Sequence, residues 1–238
     1  MLFNVDVAEG IGNEEQLFSL VDAANVCCGA HAGSLQETER VLVLSKSYGI
    51  KVGAHPSYPD PENFGRVQMS ISPEELKKSI KSQLSQFFSL AYKHQIDVFH
   101  VKPHGALYHA IGHDRQIASL FFEVLVELDF KGSVVGSMES LYDEFCKIYG
   151  YDFLPEAFAD RVHLSAGKLK PRSEPNALLN TADAVWSQVK NIMDGYIFCE
   201  EVKHQISAKT ICFHGDHAGA VELLTEVKTQ LIRSGLSN

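Results

Sequence analysis

The chain has 238 residues, 45% of them hydrophobic and 21% charged, enough to build a sizeable core as one domain, 1–238, without disulfide or metal support. Its 21 Lys and Arg against 30 Asp and Glu give a net charge of −9, and no basic stripe interrupts that balance, so nucleic acid is not an expected partner. The acidic start, Met1 to Asp6, is unlike a secretion signal, no apolar run approaches the ~18 residues of a membrane span, and five cysteines without a C-x-x-C pair fit reduced thiols in a cytoplasm.

In chain order, short β-branched or aromatic runs predict strands at 3–5, 25–27 and 51–54. Ser72-Pro73-Glu74-Glu75 then reads as a capping box with Pro at the first helical position, and Leu76, Ile80, Leu84, Phe87, Phe88 and Ala91 give that helix one apolar face. A fourth strand is predicted at 98–101, a helix after Asp114 with Ile117, Leu120, Phe121, Val124, Leu125 and Leu128, and a fifth strand at 133–135. Residues 169–175 read as a long loop, 196–208 as a hairpin outside the main sheet, 210–213 as a last strand, and Val221, Leu224, Val227 and Leu231 as a closing helix.

Strand, loop and helix repeated in this way require right-handed parallel crossovers, with the strands buried on both faces. Neither G-x-G-x-x-G nor G-x-x-x-x-G-K-[ST] occurs, so a closed α/β barrel is expected in preference to an open nucleotide-binding sheet. Asp6 and Glu9 follow the first strand, His31 the second, His55 the third, Lys102 and His104 the fourth, and His214 and Asp216 the last. In a parallel barrel those ends share one face, where carboxylates and imidazoles can serve as acids and bases or hold a metal. Plainer roles compete: His55-Pro56 as a turn, Asp6 or Asp216 as a helix cap, Lys102 as a surface lysine. His94, His109, His113, His163, His204 and His217 lack comparable context and read as surface or packing residues. Small residues flank the histidines in 28–33, 52–56 and 103–106, which lets backbone approach a ligand closely.

These motifs carry a resemblance. Asn4-Val5-Asp6 with Glu9-Gly10, Cys28-Gly29 with His31-Ala32-Gly33, Gly53-Ala54-His55-Pro56, Phe64-Gly65-Arg66, the run VKPHGALY from Val101 to Tyr108, the run EAFADR from Glu156 to Arg161, and Cys212 with His214-Gly215-Asp216 follow one another as in the LamB/YcsF family, the A subunits of 5-oxoprolinases, which the chain resembles nearly end to end. The resemblance implies a distorted (β/α)7 TIM-like barrel of the glycoside hydrolase/deacetylase type, working with two further 5-oxoprolinase subunits. Those partners would use ATP to activate 5-oxoproline, whose lactam ring opens to glutamate; alone, this chain would have little activity. Leu2, Val5 and Ala8 stand where the family's opening has Asp, Cys and Gly, and the missing acid is expected at the barrel mouth. Ala30, Ser57 and Val67 replace a Phe, a Gly and an Arg.

The expected chemistry is addition of water to a cyclic amide, with Asp6 or Asp216 as general base and His55 or His104 protonating the leaving nitrogen. Lys102, Arg66 and Arg161 would meet a carboxylate or phosphoryl group, Asn25 would position the ring, and His31 and His214 would complete the small-molecule site. A second reading is a metal-dependent amidase or deacetylase in which Asp6, His55 and His104 hold a divalent ion. A third is a non-catalytic assembly subunit, and a homodimer is left open.

Overall fold

The computed structural model describes residues 1–216 and 219–236. The chain runs β1 (Leu2–Val7), α1 (Glu14–Phe18), β2 (Ala23–Cys27), α2 (Leu35–Tyr48), β3 (Lys51–His55), α3 (Pro73–Lys93), β4 (Val98–Val101), α4 (Gly105–His113), α5 (Arg115–Glu127), β5 (Ser133–Ser137), α6 (Leu141–Tyr149) and β6 (Phe153–Phe158). An excursion follows, β7 (His163–Ser165), β8 (Lys168–Leu169), α7 (Ala182–Met193), β9 (Tyr196–Cys199) and β10 (Val202–Gln205), before β11 (Thr210–His214) and α8 (Ala220–Arg233). Seven strands close a parallel barrel in the order β1-β11-β6-β5-β4-β3-β2. Among the described residues, no helix is long and apolar enough to cross a membrane.

Local signals set the helices. Ser72 and Glu75 form the capping box of α3, with Pro73 at its start, and Leu76, Ile80, Leu84, Phe87 and Ala91 are buried against the barrel, whereas Phe88 is half-buried. Asp114 caps α5 by accepting from the backbone N–H groups of Gln116 and Ile117, a contact worth about 1 kcal/mol. Leu224, Val227 and Leu231 anchor α8. The hairpin expected at 196–208 is β9 and β10, antiparallel and outside the barrel.

One expectation needs correction. A seventh barrel strand, β6, carries Pro155 and Glu156 in its middle, so its sequence does not read as a buried apolar run. The strands are buried on both faces, as expected, but the inward face is polar. Phe3 and Val5 belong to the hydrophobic core, while Asn4 and Asp6 meet Glu156, Asn25 and Lys102 from other strands inside the barrel. The interior is a polar column wrapped in an apolar layer.

The residue at position 2 lies elsewhere than expected. Leu2 pairs with Thr210 at the foot of the barrel, four residues below the Asp6 and His214 pair at the mouth, so the acid absent from that position leaves the mouth intact. Ala8, at the position where the resemblance implies a glycine, adopts φ +62°. That left-handed conformation explains why glycine suits the position, and alanine holds it under strain.

Candidate active site

Asp6 in β1, His55 at the end of β3, Lys102 and His104 just past β4, and His214 at the end of β11 converge on a cavity of about 850 Å³. Parallel closure accomplishes this, because every strand ends at the same rim and each inward side chain from one strand meets those of its neighbours.

The floor is a charge network. Lys102 Nζ lies 3.1 Å from Asp6 Oδ1 and 2.9 Å from Glu156 Oε1, and it also donates to Cys212 Sγ at 3.0 Å. Burial alone would strip the lysine of its proton, but Asp6, Cys212 and Glu156 hold its pKa well above the ordinary range. Burial opposes ionisation of Asp6 as well; Lys102 and His55 outweigh it and keep that carboxyl well below the usual range. Glu156, at the bottom of the network, is shifted upward by burial. Asn25 donates to Asn4 Oδ1 and to Asp6 Oδ1 at 2.7 Å, fixing the Asp6 carboxylate from below.

Above this network three imidazoles pack together. His55 Nδ1 donates to the Lys102 carbonyl at 2.7 Å, and His104 Nε2 donates to the Phe64 carbonyl at 2.9 Å. Since carbonyls only accept, both hydrogens are committed outward, and the remaining nitrogens, His55 Nε2 and His104 Nδ1, face each other at 3.0 Å. Burial lowers the pKa of both rings, His31 and His55 adding to the effect on His104. Asp6 Oδ2 lies 3.6 Å from His55 Nε2, and Glu9 Oε1 lies 3.7 Å from His104 Nδ1. Two lone pairs, the Asp6 carboxylate and the Glu9 carboxyl therefore surround one point, a place that suits a proton or a metal cation.

His31 has a different role. Ser57 Oγ gives its hydrogen to the Tyr58 carbonyl, so His31 Nδ1 donates to Ser57 and Nε2 faces Glu9 Oε1 at 3.0 Å. Glu9 is pushed up to about 8 by burial and by Asp6 and Asp216, which keeps it protonated at neutral pH and able to donate to that nitrogen. Ligand atoms of Glu9, His31, His55 and His104 lie within 4.8 Å of one another. However, the His31 and His104 rings are stacked at 3.8 Å with an angle of 1°, and imidazole lone pairs lie in the ring plane, so the two cannot converge on one ion. Asp6, His55 and His104, the set expected for a divalent ion, adjoin one another only through His55, whose Nε2 lies 3.6 Å from Asp6 Oδ2 and 3.0 Å from His104 Nδ1, while the carboxyl grouped with both imidazoles is Glu9.

Around the rim, Arg66 stacks on Phe64 at 4.5 Å and donates through Nη2 to Asp216 Oδ2, tying the loop after β3 to the loop after β11. Arg172 approaches the same carboxylate at 3.7 Å. Burial disfavours ionised Asp216, but Arg172, His214 and Arg66 prevail and lower its pKa. His214 Nδ1 donates to Asp160 Oδ1 at 2.8 Å, and the His214 backbone N–H donates to Asp160 Oδ2, which leaves Nε2 for the cavity. Arg161 reaches the lining from behind and is 6% exposed.

The structure brings Asp6, His55, Lys102, His104, Arg66, Arg161 and His214 to the cavity wall. Asn25 and His31, expected to touch a ligand, are buried behind it and support Asp6 and Glu9 instead. Lys102, expected to neutralise an anion, has its charge already met by Asp6 and Glu156. Asp216 is held between arginines and is not part of the lining. Sequence reasoning passed over Glu156, Asp160 and His100, whose Nε2 donates to Asn25 Oδ1 at 2.5 Å; alternation along 98–102, with His100 in step with Lys102, is the signal that was available for His100. His109 and His113 line the cavity as well, and His163 is a packed interior residue. His217 lies outside the described residues.

A closed parallel barrel with carboxylate, imidazole and ammonium groups gathered beneath a cavity at its mouth defines a class of barrel enzymes that act on small polar substrates. The chain belongs to the LamB/YcsF family, whose model matches residues 1–238. It is 35% identical over 98% of its length to the A subunit of a 5-oxoprolinase from Histophilus somni, covering 95% of that protein. A lactam utilization protein from Thermus thermophilus superposes with a TM-score of 0.90 at 29% identity, covering 100% of this chain and 98% of the other. A family 4 carbohydrate esterase from Streptomyces lividans shares the fold, at a TM-score of 0.52 and 10% identity, over 100% of this chain and 90% of the esterase.

Proposed function

We propose that this chain is the ring-opening subunit of an ATP-dependent 5-oxoprolinase, acting with two further subunits in a cytoplasm and converting 5-oxoproline to glutamate. The name borne by its 35% identical relative supports the assignment. The observation that carries it is the meeting of Asp6, His55 and His104 at the wall of one cavity at the barrel mouth. Five buried free cysteines agree with a reducing compartment.

In the reaction the water oxygen bonds to the lactam carbonyl carbon, the C–N bond breaks, and the nitrogen leaves with a proton. Asp6 is the better placed of the two candidate bases, because it lines the cavity and stays ionised beside Lys102, while Asp216 is engaged by Arg66 and Arg172. A proton taken up between His55 Nε2 and His104 Nδ1 is in position to pass to the leaving nitrogen. Arg161 meets the substrate carboxylate, His214 offers Nε2 to the ring, and Arg66 borders the opening. Lys102 and Asn25 position Asp6, and His31 positions Glu9.

A second reading, a metal-dependent amidase or deacetylase on a related small amide, draws on the two bare nitrogens. Asp6, His55 and His104 would hold the divalent ion, which when bound would polarise the amide carbonyl and acidify water.

The deciding experiment combines the purified chain, with and without its partner subunits, with 5-oxoproline and ATP, and measures glutamate. Glutamate formed only by the complete, ATP-supplied mixture is the expected result. An active complex that forms as much glutamate without this chain would overturn the assignment.

A further inference from the structure

The hairpin outside the barrel leaves one edge open. Among the described residues β10 pairs with β9 and with no other strand, and all four of its residues, Val202 to Gln205, are exposed. The Ile206 N–H donates to the Gly195 carbonyl at 2.8 Å, and the register runs on with His204 opposite Ile197 and Val202 opposite Cys199. Antiparallel pairing alternates, so Val202, His204 and Ile206 turn their main-chain groups toward β9, whereas Lys203, Gln205 and Ser207 turn theirs away. A row of outward N–H and C=O groups of this kind is what a further strand adds to. Proline, a bulge or projecting lysines usually guard such an edge. β10 has no proline, and its one lysine lies on the Tyr196 ring, with Nζ 3.7 Å from the centroid.

The edge borders a groove of about 730 Å³ between the hairpin and α6. Gln205, Ile206 and Ser207 form one wall, and Asp143, Cys146 and Lys147 of α6 form the other. Both lysines of the groove are engaged, Lys147 by Asp143 and Lys209 by the Phe153 carbonyl. Glu139 and Asp152 also line it, and neither they nor Glu200 and Glu201 at the hairpin tip have an ion pair among the described residues. Burial, then Glu139 and Glu200, push the Cys199 thiol up, which sets the tip acids beside the groove. Glu139, Glu200 and Glu201 hold φ of +51°, +47° and +69°, a conformation glycine adopts at less cost, so three carboxylates are kept here against local preference.

We propose that the open edge of β10 and this groove receive an extended, lysine- or arginine-bearing segment of a partner subunit, which adds as a strand beside Lys203, Gln205 and Ser207. Charge selects the occupant. A basic segment meets Glu139, Asp152, Glu200 and Glu201, whereas a second copy of this chain would bring its own net charge of −9 to an acidic surface. The inference rests on the reading of this chain as one subunit of an assembly.

Hydrogen exchange of the chain, alone and in complex with its purified partner subunits, reads the edge directly. The amides of Lys203, Gln205 and Ser207 are expected to exchange at least about tenfold more slowly in the complex. Gln205→Pro removes an outward N–H and none of the hairpin's own bonds, and is expected to weaken association with the partner subunits about tenfold or more. The triple variant Glu139→Gln, Glu200→Gln, Glu201→Gln leaves the strand itself untouched, and is expected to weaken association several-fold and to flatten its salt dependence. Unchanged exchange at these amides in the complex, or association that neither variant weakens, would overturn the surface. A chain that sediments alone as a dimer, split by Gln205→Pro, would give the edge to a second copy and overturn the partner assignment. Glutamate production reads the proposed function separately: a complex that forms glutamate with these amides unprotected keeps that function and loses this surface, and protection without glutamate does the reverse.

Discussion

His55 Nε2 and His104 Nδ1 stand 3.0 Å apart while the other nitrogen of each ring donates to a main-chain carbonyl. The arrangement suits a proton or a metal cation between them. If Asp6, His55 and His104 hold a divalent ion, metal analysis of the dialysed protein finds about one per chain, and His104→Ala or His55→Ala reduces it to a small fraction. A metal-free wild type that stays fully folded would assign the position to a shared proton.

Lys102 offsets two buried carboxylates. Lys102→Met is expected to destabilise the fold by about 3–5 kcal/mol, since Asp6 and Glu156 would remain buried without it. Adding Glu156→Gln should restore part of the loss, and urea unfolding of the single and double variants measures both effects. Equal stability of wild type and Lys102→Met would mean that the lysine is not the counter-charge.

Strain at Ala8 predicts a stabilising change. Ala8→Gly is expected to raise stability by about 1 kcal/mol, the cost of a left-handed alanine less the added freedom of an unfolded glycine. The reverse holds for its contact partner. A Cβ on Gly33 would lie 2.2 Å from the Ala8 carbonyl oxygen, so Gly33→Ala should lower the melting temperature sharply.

His163 predicts acid sensitivity away from the site. Burial, with Arg161 nearby, holds it at about 4, and its Nε2 accepts the Phe158 N–H, a bond that protonation would remove. An unfolded histidine titrates near 6.5, so between these values the unfolded chain carries the extra proton. Stability contributed by this residue is then complete above about pH 6.5 and falls as the pH drops toward about 4, by up to about 1.4 kcal/mol per unit. Urea midpoints of wild type and His163→Gln should converge as the pH is lowered from about 7 to about 5; parallel curves would contradict the assignment.

At the site itself, His104→Ala in the complete glutamate-forming mixture is expected to reduce turnover by about 100-fold or more while the circular dichroism spectrum is retained. Undiminished turnover would remove His104 from the chemistry.

Much of this was legible from the chain. Ser72 and Glu75 reveal the start of α3 because capping is a local event, and the apolar faces of α3, α5 and α8 follow from helical periodicity. The positions of Asp6, His55, His104 and His214 after predicted strands, together with the barrel, suffice to bring them to one rim. The strand β6 escaped, since Pro155 and Glu156 are tolerable in a strand only when the barrel places Lys102 opposite the glutamate.

What the sequence determined by itself is therefore six of the seven barrel strands, the apolar faces of α3, α5 and α8, the barrel class and the positions of the mouth residues after their strands, because capping, periodicity and motif are written among near neighbours in the chain. Only the tertiary structure decided which of those residues face a ligand. Asn25 and His31 were drawn behind the wall, Lys102 was matched to Asp6 and Glu156, and Glu9 was raised beside His31, because burial and pairing depend on groups brought together from distant strands.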